Sequence, residues 1–128
     1  MPLQYQPKEG SIVICDFRGN ETPEMVKVRP VVILRKHKHN SQLVTVVPLS
    51  TTAPTVVENH HLQLPAYVPG PSATCWAKCD MVYTVSLARL DRCMVRSRHG
   101  GGRQYVVYSL TPEEFKAVKT AVVTALGL

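Results

Sequence analysis

The chain has 128 residues and a formal net charge of +6, with 45% hydrophobic and 19% charged residues. This length fits one domain with one core, and the composition argues against a disordered chain. No apolar run approaches the roughly 18 residues that span a bilayer, which argues against a membrane protein. The opening sequence MPLQYQPKEG has no apolar stretch resembling a secretory signal, so we predict a cytoplasmic protein.

The first predicted strands surround a polar loop. Apolar and β-branched residues predict strands at 11–17, 30–34 and 42–49, with the loop at 18–29 between the first two. The unbroken run PVVIL is typical of a strand covered on both faces. Pro48 has no N–H to donate, so the third strand must end, bulge or lie at an edge there.

Further strands are predicted in the second half of the chain. A weak alternation at 59–64 precedes a proline-rich loop at 65–72, and ATCWAKCDMVYTV, at 73–85, predicts a fifth strand. Either MVRSR or RQYVVYSL supplies one more strand, with the glycine-rich turn HGGG between these segments.

The last part of the chain predicts a helix at 112–126. Thr111 is placed as its N-cap, Pro112 as its first residue and Glu114 as the acid of a capping box. An apolar stripe for packing on a sheet or a partner follows: Phe115, Val118, Ala121, Val122, Ala125 and Leu126. Short strands followed by one helix indicate a mainly β fold, a small bent antiparallel barrel with an appended helix.

The basic residues fall into two clusters, separated by a stretch at 39–77 without lysine or arginine. They are Lys27, Arg29, Arg35, Lys36 and Lys38, and then Arg89, Arg92, Arg96, Arg98 and Arg103. Concentrated positive charge suits an anionic partner. A solvated basic surface explains the charge alone equally well.

The four cysteines are interpreted as buried structural thiols. They are Cys15, Cys75, Cys79 and Cys93. Three residues separate Cys75 from Cys79, one more than the common zinc spacing. A metal site with His60 and His61 is conceivable but disfavoured, because the alternation of the fifth strand puts both cysteines on an apolar face.

The fifth predicted strand carries the most informative side chains. By period two, one face holds Cys75, Ala77, Cys79, Met81 and Tyr83. The other face holds Trp76, Lys78, Asp80 and Val82. An aromatic ring beside a cation can hold an unstacked base next to its phosphate. The alternative is a surface salt bridge between Lys78 and Asp80 beside a half-buried tryptophan.

Two loops add polar candidates. Ser50, Thr51 and Thr52 follow the third strand, where hydroxyls either cap a turn or bind phosphate oxygens. The loop before the second strand contributes Glu21 and Glu24, and loops of this length are frequently functional.

In order, the segments GSIVICDF, EMVKVRPVVIL, TVVPLSTT and WAKCDMVYTVSLARL and the terminal helix resemble the MazF/PemK family of toxins from toxin–antitoxin systems, over about residues 9 to 126. The resemblance implies a small SH3-like barrel that forms a homodimer and cleaves single-stranded RNA without a metal or cofactor. It also implies an acidic antitoxin that covers the RNA groove. The toxin would contact operator DNA only through that antitoxin.

The resemblance also implies roles for particular residues. Arg29 matches the family's arginine before proline, and Ser50 matches its strand-end hydroxyl. Asp80 matches an aspartate that some members use as a base, Lys78 stands where those members have arginine, and Glu24 matches the acid of the first loop.

From these matches we assign a mechanism in which the 2′-hydroxyl attacks its neighbouring phosphate. Arg29 stabilises the developing charge, because its planar fork suits phosphate and stays protonated. Asp80 is the first choice of base and Glu24 the second, while Lys78 protonates the leaving oxygen or acts as a charge. Contacts to RNA are assigned to Thr51, Thr52, Trp76, Lys27 and Arg35, with Ser50 and Thr51 donating to the phosphate. In a purely structural alternative, Arg29 pairs with Glu24 or Asp80.

Two other functions remain open. The first is a catalytically weak or inactive module that binds RNA or a peptide in the same groove. In that case the loss of catalysis would be marked by Pro23, which replaces a family histidine, and by Lys78, which replaces an arginine. The second is a toxin of the related gyrase-poisoning class, which has a similar barrel and whose target is a protein. The basic clusters and Arg29 favour RNA over that target.

Overall fold

The computed structural model describes residues 2–58, 60–65, 74–96 and 102–128. The strands are β1 Ser11–Asp16, β2 Val28–Lys36, β3 Leu43–Ser50, β4 His61–Pro65, β5 Thr74–Lys78, β6 Tyr83–Ser86, β7 Leu90–Asp91, β8 Cys93–Arg96, β9 Arg103–Val106 and β10 Tyr108–Ser109. A 3₁₀ helix, Leu87–Arg89, precedes β7, and the α-helix α1 spans Pro112–Leu126. The mainly β fold with a C-terminal helix is confirmed.

The main sheet is antiparallel and has the strand order β10-β1-β2-β3-β5-β4. In addition, β7 pairs with β1, and β6 pairs with the first half of β3. Both of the alternative last strands exist, because β8 and β9 pair with each other in a separate two-stranded sheet. Residues 66–73 and 97–101, which include most of the predicted proline-rich loop and glycine-rich turn, lie outside the described residues.

The central strand β2 is covered on both faces, as its apolar run predicts. Val32 belongs to an apolar cluster that includes α1, whereas Val31 and Ile33 belong to a second cluster that includes the N-terminal Leu3 and Leu87 of the 3₁₀ helix. We call these the helix face and the opposite face of the main sheet. The prediction of one core is wrong, because different segments cover the two faces of a single sheet.

The helix begins and ends as predicted. The Thr111 hydroxyl accepts from the Glu114 N–H at 3.2 Å, and the Glu114 carboxylate accepts from the Thr111 N–H at 2.9 Å, which completes the capping box. Gly127 ends the helix with a left-handed φ of 71°, a conformation that costs glycine little. Among the described residues, no helix combines the length and the apolar character needed to cross a bilayer.

The apolar stripe of α1 packs on the sheet. Val118, Ala121 and Val122 are buried in the cluster of the helix face, and Phe115 packs against it. Leu126, predicted in the same stripe, is instead 49% exposed because it stands in the last turn of the helix, beyond the edge of that cluster.

Pro48 lies at a local edge of the sheet. The strand β3 continues through it to Ser50, and Pro48 pairs with Val31 of β2. On its other side, β3 pairs with β6 as far as Val46 and with β5 from Leu49. Pro48 therefore falls between the two partners, where a missing N–H is tolerated, and a local edge is the predicted possibility that the structure contains.

The predicted fifth strand is wrong as one element. It is two strands, β5 and β6, separated by a turn in which the Met81 N–H donates to the Lys78 carbonyl at 2.9 Å. The break arises because β5 and β6 pair with different ends of β3, so the chain must leave one position in the sheet before entering the next.

Candidate functional site

The opposite face of the main sheet changes from apolar to polar along β2 and β3. Val31 and Val46 are completely buried on this face. Arg29 and Ser50 each lie two residues beyond the Val31–Pro48 pair in their strands, on the same face as that pair. Arg29 is therefore placed on the side of the sheet that carries Ser50, at the end of its core.

The strands β5 and β4 extend this polar row. Ser50 pairs with Trp76, Trp76 pairs with Gln63, and Lys78 pairs with His61. Period two places all of these side chains on the opposite face, because the alternate residues of β5 belong to the helix face. We call this set the polar face: Arg29, Ser50, Trp76, Lys78, Gln63 and His61. It brings together four of the residues predicted to act in catalysis or RNA binding: Arg29, Ser50, Trp76 and Lys78.

The guanidinium of Arg29 is incompletely satisfied. Its Nε atom is buried and has no hydrogen-bond partner among the described residues. The structural alternative, an ion pair of Arg29 with Glu24 or Asp80, is absent from the described part of the chain. A buried donor without an acceptor costs roughly 1–3 kcal/mol, so its persistence needs an explanation, and an anionic ligand supplies one.

Ser50 is 7% exposed and already makes one contact. Its Oγ accepts from the Thr52 N–H at 3.1 Å, which is the turn-capping role that hydroxyls commonly have after a strand. A hydroxyl also carries a donor of its own, and accepting this bond leaves that donor for a phosphate oxygen. Thr51 and Thr52 are exposed beside it.

Asp80 does not stand in the predicted row with Trp76 and Lys78. It lies in the turn after β5 and is exposed, whereas Lys78 is partly buried on the strand. The predicted alternative, a salt bridge between Lys78 and Asp80, is also wrong, because Asp80 approaches His60 instead. The distance from Asp80 Oδ2 to His60 Nε2 is 3.8 Å. The turn, which the sequence did not predict, redirects the carboxylate.

From the sequence, His60 is a candidate only as a metal ligand. Besides Asp80, it approaches Glu58, with 3.6 Å between His60 Nδ1 and Glu58 Oε2. Sequence spacing gives no signal for the contact between His60 and Asp80, because it joins the loop before β4 to the turn after β5. The two histidines, His60 and His61, are themselves neighbours, with ring centroids 4.3 Å apart.

The remaining predicted residues lie apart from one another. The Glu24 carboxylate is exposed and accepts from the Glu21 N–H at 2.8 Å, which closes a turn in the loop before β2. Lys27 is exposed just before β2. Arg35 is exposed at the far end of β2 from Arg29 and borders a groove beside α1, so the structure does not bring it to the polar face.

The cysteines are buried, as predicted. Burial raises the pKa of the Cys15 and Cys79 thiols to about 12 and that of Cys93 to about 11. These three thiols are therefore protonated at neutral pH, and a protonated thiol is neither a good nucleophile nor a metal ligand. Within residues 2–58, 60–65, 74–96 and 102–128, no three or more histidine, cysteine or acidic side chains are grouped so that they could hold a metal ion.

Comparisons with known proteins agree with this fold. The family model for the PemK-like, MazF-like toxin of type II toxin–antitoxin systems matches residues 8–126. YifN, an uncharacterized protein of Escherichia coli (strain K12), is 30% identical over 141 residues, which cover 92% of this chain and 93% of that protein.

Solved structures of the same fold cover nearly the whole chain. MazF (form I) from Deinococcus radiodurans has a TM-score of 0.65 and 17% identity, covering 98% of this chain and 100% of that chain. An endoribonuclease in complex with its cognate antitoxin, from a mycobacterial species, has a TM-score of 0.62 and 21% identity, covering 96% and 97%. With the family match over residues 8–126, the chain belongs to the PemK/MazF family of toxins of type II toxin–antitoxin systems.

Proposed function

We propose that this toxin-family protein is a sequence-selective endoribonuclease that cuts single-stranded RNA, including mRNA, without a metal ion. Its products would carry 2′,3′-cyclic phosphate and 5′-hydroxyl ends. Family membership supports the class of activity. The observation that carries the proposal is the buried Arg29 Nε, which has no hydrogen-bond partner among the described residues and lies where the sheet face turns polar.

The chemistry needs positive charge next to the reacting phosphate. When the 2′-oxygen bonds to phosphorus and the bond to the 5′-oxygen breaks, negative charge grows on the phosphoryl oxygens. A preorganised donor aimed at those oxygens is usually the largest contribution to such a reaction. Arg29 can supply it as a planar fork of N–H groups, which is the reason for proposing that no metal is needed.

Two proton transfers complete the reaction. A base accepts the proton of the 2′-hydroxyl, and an acid returns a proton to the departing 5′-oxygen. We assign the first role to Asp80, with Glu24 as the second choice, and the second role to Lys78, which otherwise acts as a fixed charge. Ser50 donates its remaining hydrogen bond to the phosphate, with Thr51 beside it.

RNA binding would use the rest of the polar face. Trp76 is partly buried beside Ser50 and offers a ring on which an unpaired base can stack. Thr51, Thr52 and Lys27 are exposed near the same edge, and Arg35 would contact RNA only if the strand continued around the sheet. Stacking supports single-stranded RNA, because bases in a duplex do not present their faces.

The proposed partners follow from the same charge. An acidic antitoxin segment would cover the polar face and exclude RNA, as expected for a chain with a net charge of +6. The similar mycobacterial endoribonuclease is in complex with its cognate antitoxin. We also propose a homodimer, and contact with operator DNA only through the antitoxin.

One observation favours a second candidate, a module that binds RNA or a peptide without cutting it. Neither candidate base contacts the basic side chains of the polar face, since Asp80 pairs with His60 and Glu24 accepts from Glu21 within its own loop. A site lacking a positioned base would still bind an anionic ligand through Arg29.

The deciding experiment incubates the purified protein with mixed single-stranded RNA in EDTA and maps the new ends. We expect cuts at a defined motif with cyclic-phosphate termini. The Arg29→Ala variant, purified in parallel, controls for contaminating nucleases. Intact RNA at saturating protein would favour the binding module, and cutting that stops with EDTA would contradict the metal-free mechanism.

A further inference from the structure

The side chain of His60 lies between two carboxylates. Its Nδ1 is 3.6 Å from Glu58 Oε2 and its Nε2 is 3.8 Å from Asp80 Oδ2. The imidazole is 18% exposed, whereas the side chains of Glu58 and Asp80 are 62% and 49% exposed. One largely buried ring therefore connects the loop before β4 to the turn after β5.

The backbone around His60 is held by a tight turn. The Glu58 N–H donates to His61 Nδ1 at 2.8 Å, and the His61 N–H donates to the Glu58 carbonyl at 3.0 Å. His61 then pairs with Lys78 as β4 begins. These contacts give His61 a structural role in the turn. The ring nitrogens of His60, by contrast, lie near the two carboxylates.

The two ring nitrogens have complementary chemistry only in the charged form. An imidazolium donates from both nitrogens, whereas a neutral imidazole donates from one and accepts at the other. The distances of 3.6 and 3.8 Å are those of ion pairs rather than direct hydrogen bonds. The described charged or titratable neighbours are Glu58, Asp80 and His61, with Lys78 on the adjacent strand. A protonated His60 satisfies both carboxylates at once.

Asp80 needs such support because of its position. It lies in a turn rather than on β5, so the ladder of the sheet does not orient it. We infer that His60 is a positioning residue, whose ring holds the Asp80 carboxylate in place beside the end of β5, where Lys78 lies. The inference rests on the proposed function, in which Asp80 accepts the proton of the 2′-hydroxyl.

The test is a double-mutant cycle in RNA cleavage. We expect His60→Gln to lower kcat/KM about tenfold through loss of orientation. The double variant with Asp80→Asn should be no slower than Asp80→Asn alone, because His60 acts through that carboxylate. Multiplied losses in the double variant, or wild-type activity of Asp80→Asn, would overturn the inference.

A rescue variant separates positioning from a structural role. His60→Lys places a donor near both carboxylates and should recover part of the rate that His60→Gln loses. The matched control, His39→Gln, changes an exposed histidine in the β2–β3 turn and should behave as wild type. A His60→Lys variant as slow as His60→Gln would contradict the inference.

A readout without RNA keeps the two proposals separate. If the wild type cuts no RNA, the proposed function fails, but the contact is still testable by thermal unfolding of the wild type, His60→Gln, Asp80→Asn and the double variant. Their shifts in Tm should be non-additive, since His60 and Asp80 contact each other. Additive shifts would overturn the role of His60.

Discussion

Two neighbouring residue pairs show how differently the two faces of the main sheet are used. Leu49 and Ala77 pair across β3 and β5 on the helix face, and both are completely buried. The next pair, Ser50 and Trp76, points to the opposite face and belongs to the polar face. One step along the same two strands separates a side chain that packs from one that is available to a ligand.

The difference comes from what covers each face. On the helix face, α1 lies over the sheet and contributes Val118 and Val122 to the core. On the opposite face, one half carries an apolar core to which the N-terminal Leu3, Leu87 of the 3₁₀ helix and Tyr83 of β6 contribute. The other half carries Arg29 and its polar neighbours. A β-sheet thus offers equivalent positions on both faces, and the covering segments decide which become a site.

The largest effect should come from Arg29→Ala. We expect cleavage to fall about 1,000-fold, or about 4 kcal/mol, because the variant removes the main donor to the transition state. Its Tm should stay close to wild type, since the lost guanidinium has an unsatisfied buried atom. Cleavage rates and circular dichroism melts measure the two effects.

Two further substitutions sharpen this prediction. Arg29→Lys keeps the charge without the fork and should retain only part of the activity. Arg92→Ala removes an exposed arginine that lies over the Tyr105 ring, away from the polar face, and should cut RNA at the wild-type rate. Equal losses in Arg29→Ala and Arg92→Ala would show that overall charge, rather than a placed guanidinium, matters.

The next effect tests the helix face. Leu49→Ala should lower the free energy of unfolding by about 3 kcal/mol, because it leaves a cavity under α1. Cleavage per folded molecule should be nearly unchanged. Ser50 is the next residue and lies on the opposite face. Ser50→Ala should mainly weaken cleavage, and it should lower the free energy of unfolding by only about 1 kcal/mol. Urea denaturation and cleavage assays measure the two effects, and a loss of the same property in both variants would show that the two faces do not differ in role.

A smaller effect is expected from Trp76→Ala. Loss of a stacking surface should weaken binding of single-stranded RNA by about 2 kcal/mol, measured by fluorescence anisotropy in the Arg29→Ala background so that the RNA stays intact. Trp76→Phe keeps a ring and should lose less. Unchanged affinity in Trp76→Ala would remove Trp76 from the proposed interface.

The smallest effect concerns an ion pair outside the polar face. A bidentate contact from Arg18, at 2.7 to 3.1 Å, lowers the pKa of Asp16 to about 2. A depressed acid pKa stabilises the fold above the unfolded value of about 4, and this contribution is lost as pH falls toward 2. Asp16→Asn should therefore reduce Tm slightly at neutral pH, the exposed pair being screened by solvent. A difference in Tm that persists undiminished at about pH 2 would contradict this origin.

Local signals explain what was predictable. The helix at 112–126 was correct at both ends because its cap, first proline and apolar stripe all lie within the segment. The burial of Val31–Ile33 on both faces followed from an unbroken apolar run, and the burial of Cys75 and Cys79 from alternation. These features depend on side chains and backbone within a few residues of one another.

Pairing between distant segments explains what was missed. The turn after Lys78 exists because β5 and β6 pair with different parts of β3. No residue in the predicted strand indicates that the chain changes its pairing position there. The second core and the His60–Asp80 contact likewise join segments far apart in the chain.

The amino-acid sequence already indicates which residues carry charge, hydroxyl and aromatic groups, where the local elements lie, and, through resemblance, the family. The shared face of Arg29, Ser50, Trp76 and Lys78 emerges only in the folded chain, as does the contact of Asp80 with His60. Composition and periodicity act within a strand, and therefore cannot show either feature. The register between strands and the segments covering each face are set by packing of the whole chain.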